Sequence, residues 1–169
     1  MRQLFGILLF SLITIICFGQ ENIKIFYSED YSVELNGVSV NNETTYQEIV
    51  EMLGQPEIYK EYSTGKINYR YPELGLVFHT VNGKLLTLAM NFNWDGDKNF
   101  PNTTFEGVLK IGETTINKET TESIINQLES FKIKCIMAGM CMNNPKEIKN
   151  PILLGFKDES ITQVCIEFH

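Results

Sequence analysis

The residues with obvious chemical potential are two histidines, a spaced set of acids and the cysteines. His79 stands between Phe78 and Thr80 in a stretch of alternating character, which turns it away from Leu76 and Phe78 on a strand. His169 is the last residue, and a chain end is a poor mount for a general base. Neither histidine is accompanied by a Gly-x-Ser-x-Gly elbow, a phosphate-binding glycine loop or a His-Glu-x-x-His set. Most carboxylates fall in helix starts and turns, where acids cap backbone N–H groups and hold water. No catalytic set is assigned, the chain is not expected to be an enzyme, and no cofactor is expected.

Two constellations have metal-like spacing. Asp95, Asp97 and Asn99 alternate, and Glu106 stands twelfth from Asp95, as in a calcium-binding EF-hand loop. The sixth position of such a loop needs glycine and is Phe100 here, followed by Pro101, so the segment reads as a polar connection. Cys135, Cys141 and Cys165 lie in apolar, strand-like stretches and read as small core residues. A disulfide from Cys165 to one of the others is the alternative in an oxidising compartment. No histidine or second cysteine stands at zinc spacing, so no metal is assigned.

Binding is a better use of this composition than catalysis. Aromatic and arginine side chains dominate the centres of protein interfaces. Tyr59, Tyr62, Arg70, His79 and Trp94 are the candidate contact residues, whereas Tyr69 and Tyr71 alternate like core residues of a strand. On the same alternation Asn68, Arg70, His79, Thr87, Ala89 and Asn91 point away from the core, onto a docking face.

The elements that must position these residues follow a charge-free start. Arg2 precedes the uncharged run Leu4 to Phe18, and Cys17-Phe18-Gly19 offers a cleavage site, so residues 1–19 read as a signal peptide. The run is short for a membrane span, which needs roughly 20 apolar residues. Acylation at Cys17 is the alternative, disfavoured by Ile16 where a small residue belongs. The exported remainder has 13 basic and 21 acidic side chains, net −8. Nucleic acid and anionic membrane surfaces are thereby disfavoured as partners, and another protein is expected.

Two stretches of the remainder look alike. Val33, Val40 to Thr45, and Leu88 to Phe92 match Leu109, Ile116 to Thr121, and Val164 to Phe168 at a common offset. The expected organisation is a lead-in over 20–30, a first repeat over 31–93, a linker over 94–104 and a second repeat over 105–169. Each repeat starts with a hairpin, signalled by Asn36-Gly37 in the first. A helix capped by Thr45 and Glu48 follows, with Tyr46, Ile49, Val50 and Leu53 on one face and Gly54 and Pro56 as its stop. Three antiparallel strands end each repeat. The fold class expected is α+β, with the helices packed on one face of the sheet.

The segment Thr44-Thr45 to Gly54-Gln55-Pro56, with Tyr69-Arg70-Tyr71, Gly75-Leu76 and Gly83-Lys84-Leu85, resembles the β-lactamase inhibitor protein family. It also resembles that family's relative, the outer-membrane assembly lipoprotein BamE. Tyr31 to Leu128, with Phe105-Glu106-Gly107-Val108-Leu109, is similar to a bacterial family of unknown function. The resemblance implies a non-catalytic, exported protein-binding module, inhibitor- or immunity-like, in the periplasm or outside the cell. An assembly or structural factor of the envelope is the alternative.

Overall fold

The computed structural model describes residues 22–169, so the expected signal peptide, with Arg2 and Cys17, lies outside the described part. Strand β1 (Lys24–Tyr27) precedes a hairpin, β2 (Val33–Leu35) and β3 (Val38–Val40). Helix α1 (Tyr46–Leu53) leads into a meander of β4 (Glu57–Glu61), β5 (Lys66–Tyr71), β6 (Leu76–Val81) and β7 (Lys84–Asn91). The order then recurs. Hairpin β8 (Val108–Ile111) and β9 (Thr114–Ile116) is followed by α2 (Glu122–Ile125) and by β10 (Lys134–Met137), β11 (Met140–Met142), β12 (Ile152–Lys157) and β13 (Ser160–Glu167).

The expected α+β class, with helices covering a sheet, is corrected. Strands hold 43% of the described residues and helices 12%, and two sheets build the molecule. The physical reason lies in helix length. Helix α1 has eight residues and buries only Ile49, and α2 has four and buries only Ile125, too little apolar surface to cover a sheet. The two meanders join into one antiparallel sheet ordered β10-β11-β12-β13-β7-β6-β5-β4. The two hairpins and β1 form a second, ordered β3-β2-β1-β8-β9. One core unites them, with Ile25, Tyr27, Leu35 and Ile111 from the smaller sheet and Phe78, Leu88, Leu154 and Val164 from the larger. Between the sheets Asn143 Nδ2 donates to the buried Tyr27 hydroxyl at 2.9 Å, and that hydroxyl donates to Asn150 O at 2.8 Å.

The register has a two-fold pattern. At the junction of the meanders Ala89 pairs with Cys165, Leu88 with Ile166 and Met90 with Val164. Ala89 and Cys165 are 76 residues apart (165 − 89), and so are Leu88 and Val164, so each strand meets its own counterpart about one axis. The smaller sheet has the same axis at Phe26, which pairs with Glu34 on one side and Lys110 on the other. Hydrogen bonds recur at that spacing too. Leu85 N donates to Thr44 O at 2.7 Å and Ile161 N to Thr120 O at 3.0 Å, while Phe92 N donates to Thr162 O and Phe168 N to Leu86 O.

Local chemistry accounts for the turns. Asn36-Gly37 and Asn82-Gly83 all have positive φ, which the tight turns of β2–β3 and β6–β7 require. The segment Lys132 to Met142, expected as one strand, turns back at Gly139 with φ 78°. Two strands went unexpected. β1 lies in the lead-in, and β4 is exposed along its whole length, with no alternation to betray it.

Candidate functional site

The connection between the halves builds the most distinctive surface. It leaves β7 and folds back onto the side of the large sheet away from the core. Asn91 Nδ2 donates to Thr103 O at 2.9 Å, Phe105 N to Asn91 O at 2.6 Å, and Gln163 Nε2 to Asp95 Oδ1 at 3.2 Å. The backbone comes so close to Gly75 that a Cβ there would lie 2.6 Å from Thr103 O, and Gly75 also has φ +63°. Only glycine suits both conditions.

Within the connection, side-chain oxygens fold the chain. Asp97 N donates to Asp95 Oδ1 at 3.0 Å and Asn99 N to Asp97 Oδ1 at 2.8 Å, a pair of Asx turns. The Trp94 indole donates to Asp97 O at 3.1 Å, which fixes the ring while leaving it 49% exposed. The acids of the calcium-like spacing are thus bonded to backbone, and Glu106 lines a separate cleft with Asn22 and Glu73.

This path brings three of the five candidate residues together. Tyr59, Arg70 and Trp94 line one groove of about 400 Å³ with Lys98, Phe100 and Pro101. The Arg70 guanidinium lies over the Tyr59 ring, its carbon 3.3 Å from the ring centroid, and Nη2 donates to Lys98 O. Stacking on an aromatic face flattens and orients the cation, and the backbone contact fixes its rotation. Glu57 is Arg70's partner in the β4–β5 register, yet the two form no ion pair among the described residues. The result is a pre-set aromatic and cationic wall. Lys98, Phe100 and Pro101 were not legible as site residues, because only the loop's return over the sheet carries them to Arg70.

The other two candidates lie elsewhere. Tyr62 is flanked by Lys60 and Lys66, whose ammonium nitrogens lie 4.6 and 5.9 Å from its ring centroid. His79 sits mid-sheet in a row with Asn68, Thr87 and Glu167. Burial, and then the charge of Lys66, holds its imidazole neutral by lowering its pKa to about 4. Burial, with Glu167 adding to it, pushes the nearby Cys165 thiol up to about 12. A neutral histidine and a protonated thiol are not an activated pair. Of the six residues expected to open onto a docking face, Asn68, Thr87, Ala89 and Asn91 are buried. The exposed aromatic surface is at the β4 edge and the connection instead.

Cys135 and Cys141 are joined in a disulfide across β10 and β11, and Cys165 is free, which settles the pairing the spacing left open. The larger concavity, about 620 Å³, lies beside β10 and is lined by Ile133, Ile136, Met142 and Pro145 among others. It gathers no stacked cation and aromatic ring, so the smaller groove is the better site. No described helix is long and apolar enough to cross a membrane.

No curated protein and no solved structure gives a significant match to this chain. The model of a family described as a domain of unknown function, DUF7738, matches residues 24–126. That stretch holds both hairpins, the first meander and the whole connecting loop. It is more than half of the chain, and the protein belongs to the DUF7738 family.

Proposed function

We propose that this protein is an exported, non-catalytic binding module that recognises another protein through the groove of Tyr59, Arg70 and Trp94. The observation that carries the reading is the convergence of these three side chains, distant in sequence, on one partly exposed wall. Interfaces concentrate their binding energy in such aromatic and arginine anchors. The resemblance to β-lactamase inhibitor proteins points the same way, and so does the uncharged run at the start of the chain.

The test is affinity capture from periplasm and culture medium with the wild-type protein and with Tyr59→Ala, Arg70→Ala and Trp94→Ala. A specific partner should be retained by the wild type and lost, by tenfold or more in affinity, from at least two of the variants. A partner held equally by all four proteins would remove the groove from the reading. Detection of the chain only in the cytosol would remove export.

A further inference from the structure

A second cluster lies where α2 meets the β10–β11 hairpin. Cys135 and Cys141 face each other across the ladder and are bonded. Glu122 opens α2 and reaches the hairpin turn, where its Oε1 accepts from Gly139 N at 3.2 Å. Its carboxylate and the two sulfurs all lie within 4.8 Å of one another. Asn126, one helical turn after Glu122, places Oδ1 3.4 Å from Cys135 Sγ. Cys141 is buried, so the cluster is half enclosed.

We propose that these four side chains form a redox-gated site for a thiophilic divalent cation of the zinc and cadmium class, assembled when the disulfide is reduced. A dithiol reductant delivers two electrons and two protons. The sulfur–sulfur bond breaks, two thiols form, and the reductant leaves as its own disulfide. The cation then binds both sulfurs as thiolates, and their two protons pass to solvent. Glu122 supplies the third donor and Asn126 Oδ1 the fourth. Two sulfurs and two oxygens suit a tetrahedral, borderline-soft ion. Backbone pairing between β10 and β11 keeps the two cysteines opposed after reduction. Cys165 takes no part, because it pairs with Ala89 on the other side of the sheet from Cys141.

The experiment titrates Cd²⁺ into the folded chain, oxidised and then reduced with a phosphine, and follows ultraviolet thiolate-to-cadmium absorption together with the melting temperature. The reduced wild type should bind one ion, gain the absorption and melt higher, because the ion binds the folded state. The oxidised protein should do neither. Cys141→Ser should abolish the signal, Cys165→Ser should keep it, and Glu122→Gln should weaken binding by roughly tenfold or more. An absent signal in the reduced wild type, an undiminished one in Cys141→Ser, wild-type affinity in Glu122→Gln, or binding with no rise in melting temperature would each overturn the proposal.

Discussion

The first and second halves enter their helices through the same turn and leave with different helices. Asn41 N donates to Thr44 Oγ1 at 2.9 Å in one, and Asn117 N to Thr120 Oγ1 at 3.0 Å in the other. Thr45 and Thr121 then hold the same extended N-cap backbone. Beyond that residue they part. Glu48 accepts from Thr45 N at 2.7 Å and Thr45 Oγ1 accepts from Glu48 N at 3.3 Å, a complete capping box. The position 76 residues after Glu48 is Ile124, which offers no oxygen, and Thr121 makes no side-chain cap. The acid of that turn, Glu122, bonds to the β10–β11 hairpin instead. One carboxylate moved by two positions separates an eight-residue helix from a four-residue one, and frees the acid for a different task.

The comparison is most strongly strained by emptying the two helix anchors. Ile49 and Ile125 are both fully buried, and replacing either with alanine should cost about 3 kcal/mol in chemical denaturation. A loss below about 1 kcal/mol at Ile125 alone would mean that the shorter helix does not pack as described.

A smaller effect separates the halves by pH. The position 76 residues after His79 is Gly155, so the first half alone carries this titrating group. The folded imidazole, with its pKa near 4, resists a proton that the unfolded chain accepts near 6.5. The unfolded state therefore binds more protons between these values, and stability falls as pH drops through that window. The loss should be on the order of 2 kcal/mol, allowing for the ring's partial exposure, and should vanish in His79→Gln. Equal slopes in both proteins, measured by urea unfolding from pH 7 to pH 4, would refute it.

The caps give the third and fourth tests. Thr45→Ala should cost about 1 kcal/mol and Thr121→Ala less than about 0.5 kcal/mol, because only Thr45 bonds to a helix N–H. Equal costs would deny the asymmetry. Ile124→Glu, at a position 37% exposed, should rebuild the box and raise stability by about 0.5 kcal/mol, read as a small rise in melting temperature.

What was legible in the chain was local. The Asn-Gly turns, the Thr45 to Gly54 helix and the alternation of Tyr69, Tyr71 and Phe78 all state their structure within a few residues. Those three rings do stack in the core, with Tyr69 and Phe78 centroids 4.6 Å apart. What was not legible depended on distant partners. Nothing near Lys24 reveals that Lys24 to Tyr27 will pair with Val108 to Ile111. Three of the five groove candidates were named by residue type, but their meeting depends on a loop whose course is set by Gly75 and Asn91. Glu122 looked like an ordinary first-turn acid, since its partners at Cys135 and Cys141 follow a turn that was read as a single strand.

The place of β1 has a consequence for synthesis and breakdown. One flank of Lys24–Tyr27 is filled almost at once by Val33–Leu35, while the other waits for Val108–Ile111 to leave the ribosome. A nascent or truncated product that stops within 94–104 therefore presents an open strand backed by Ile25 and Tyr27, ready to recruit a segment from another molecule. Nicking the connection and separating the pieces would yield two adhesive fragments rather than two working modules, so the chain must be delivered and degraded as one unit.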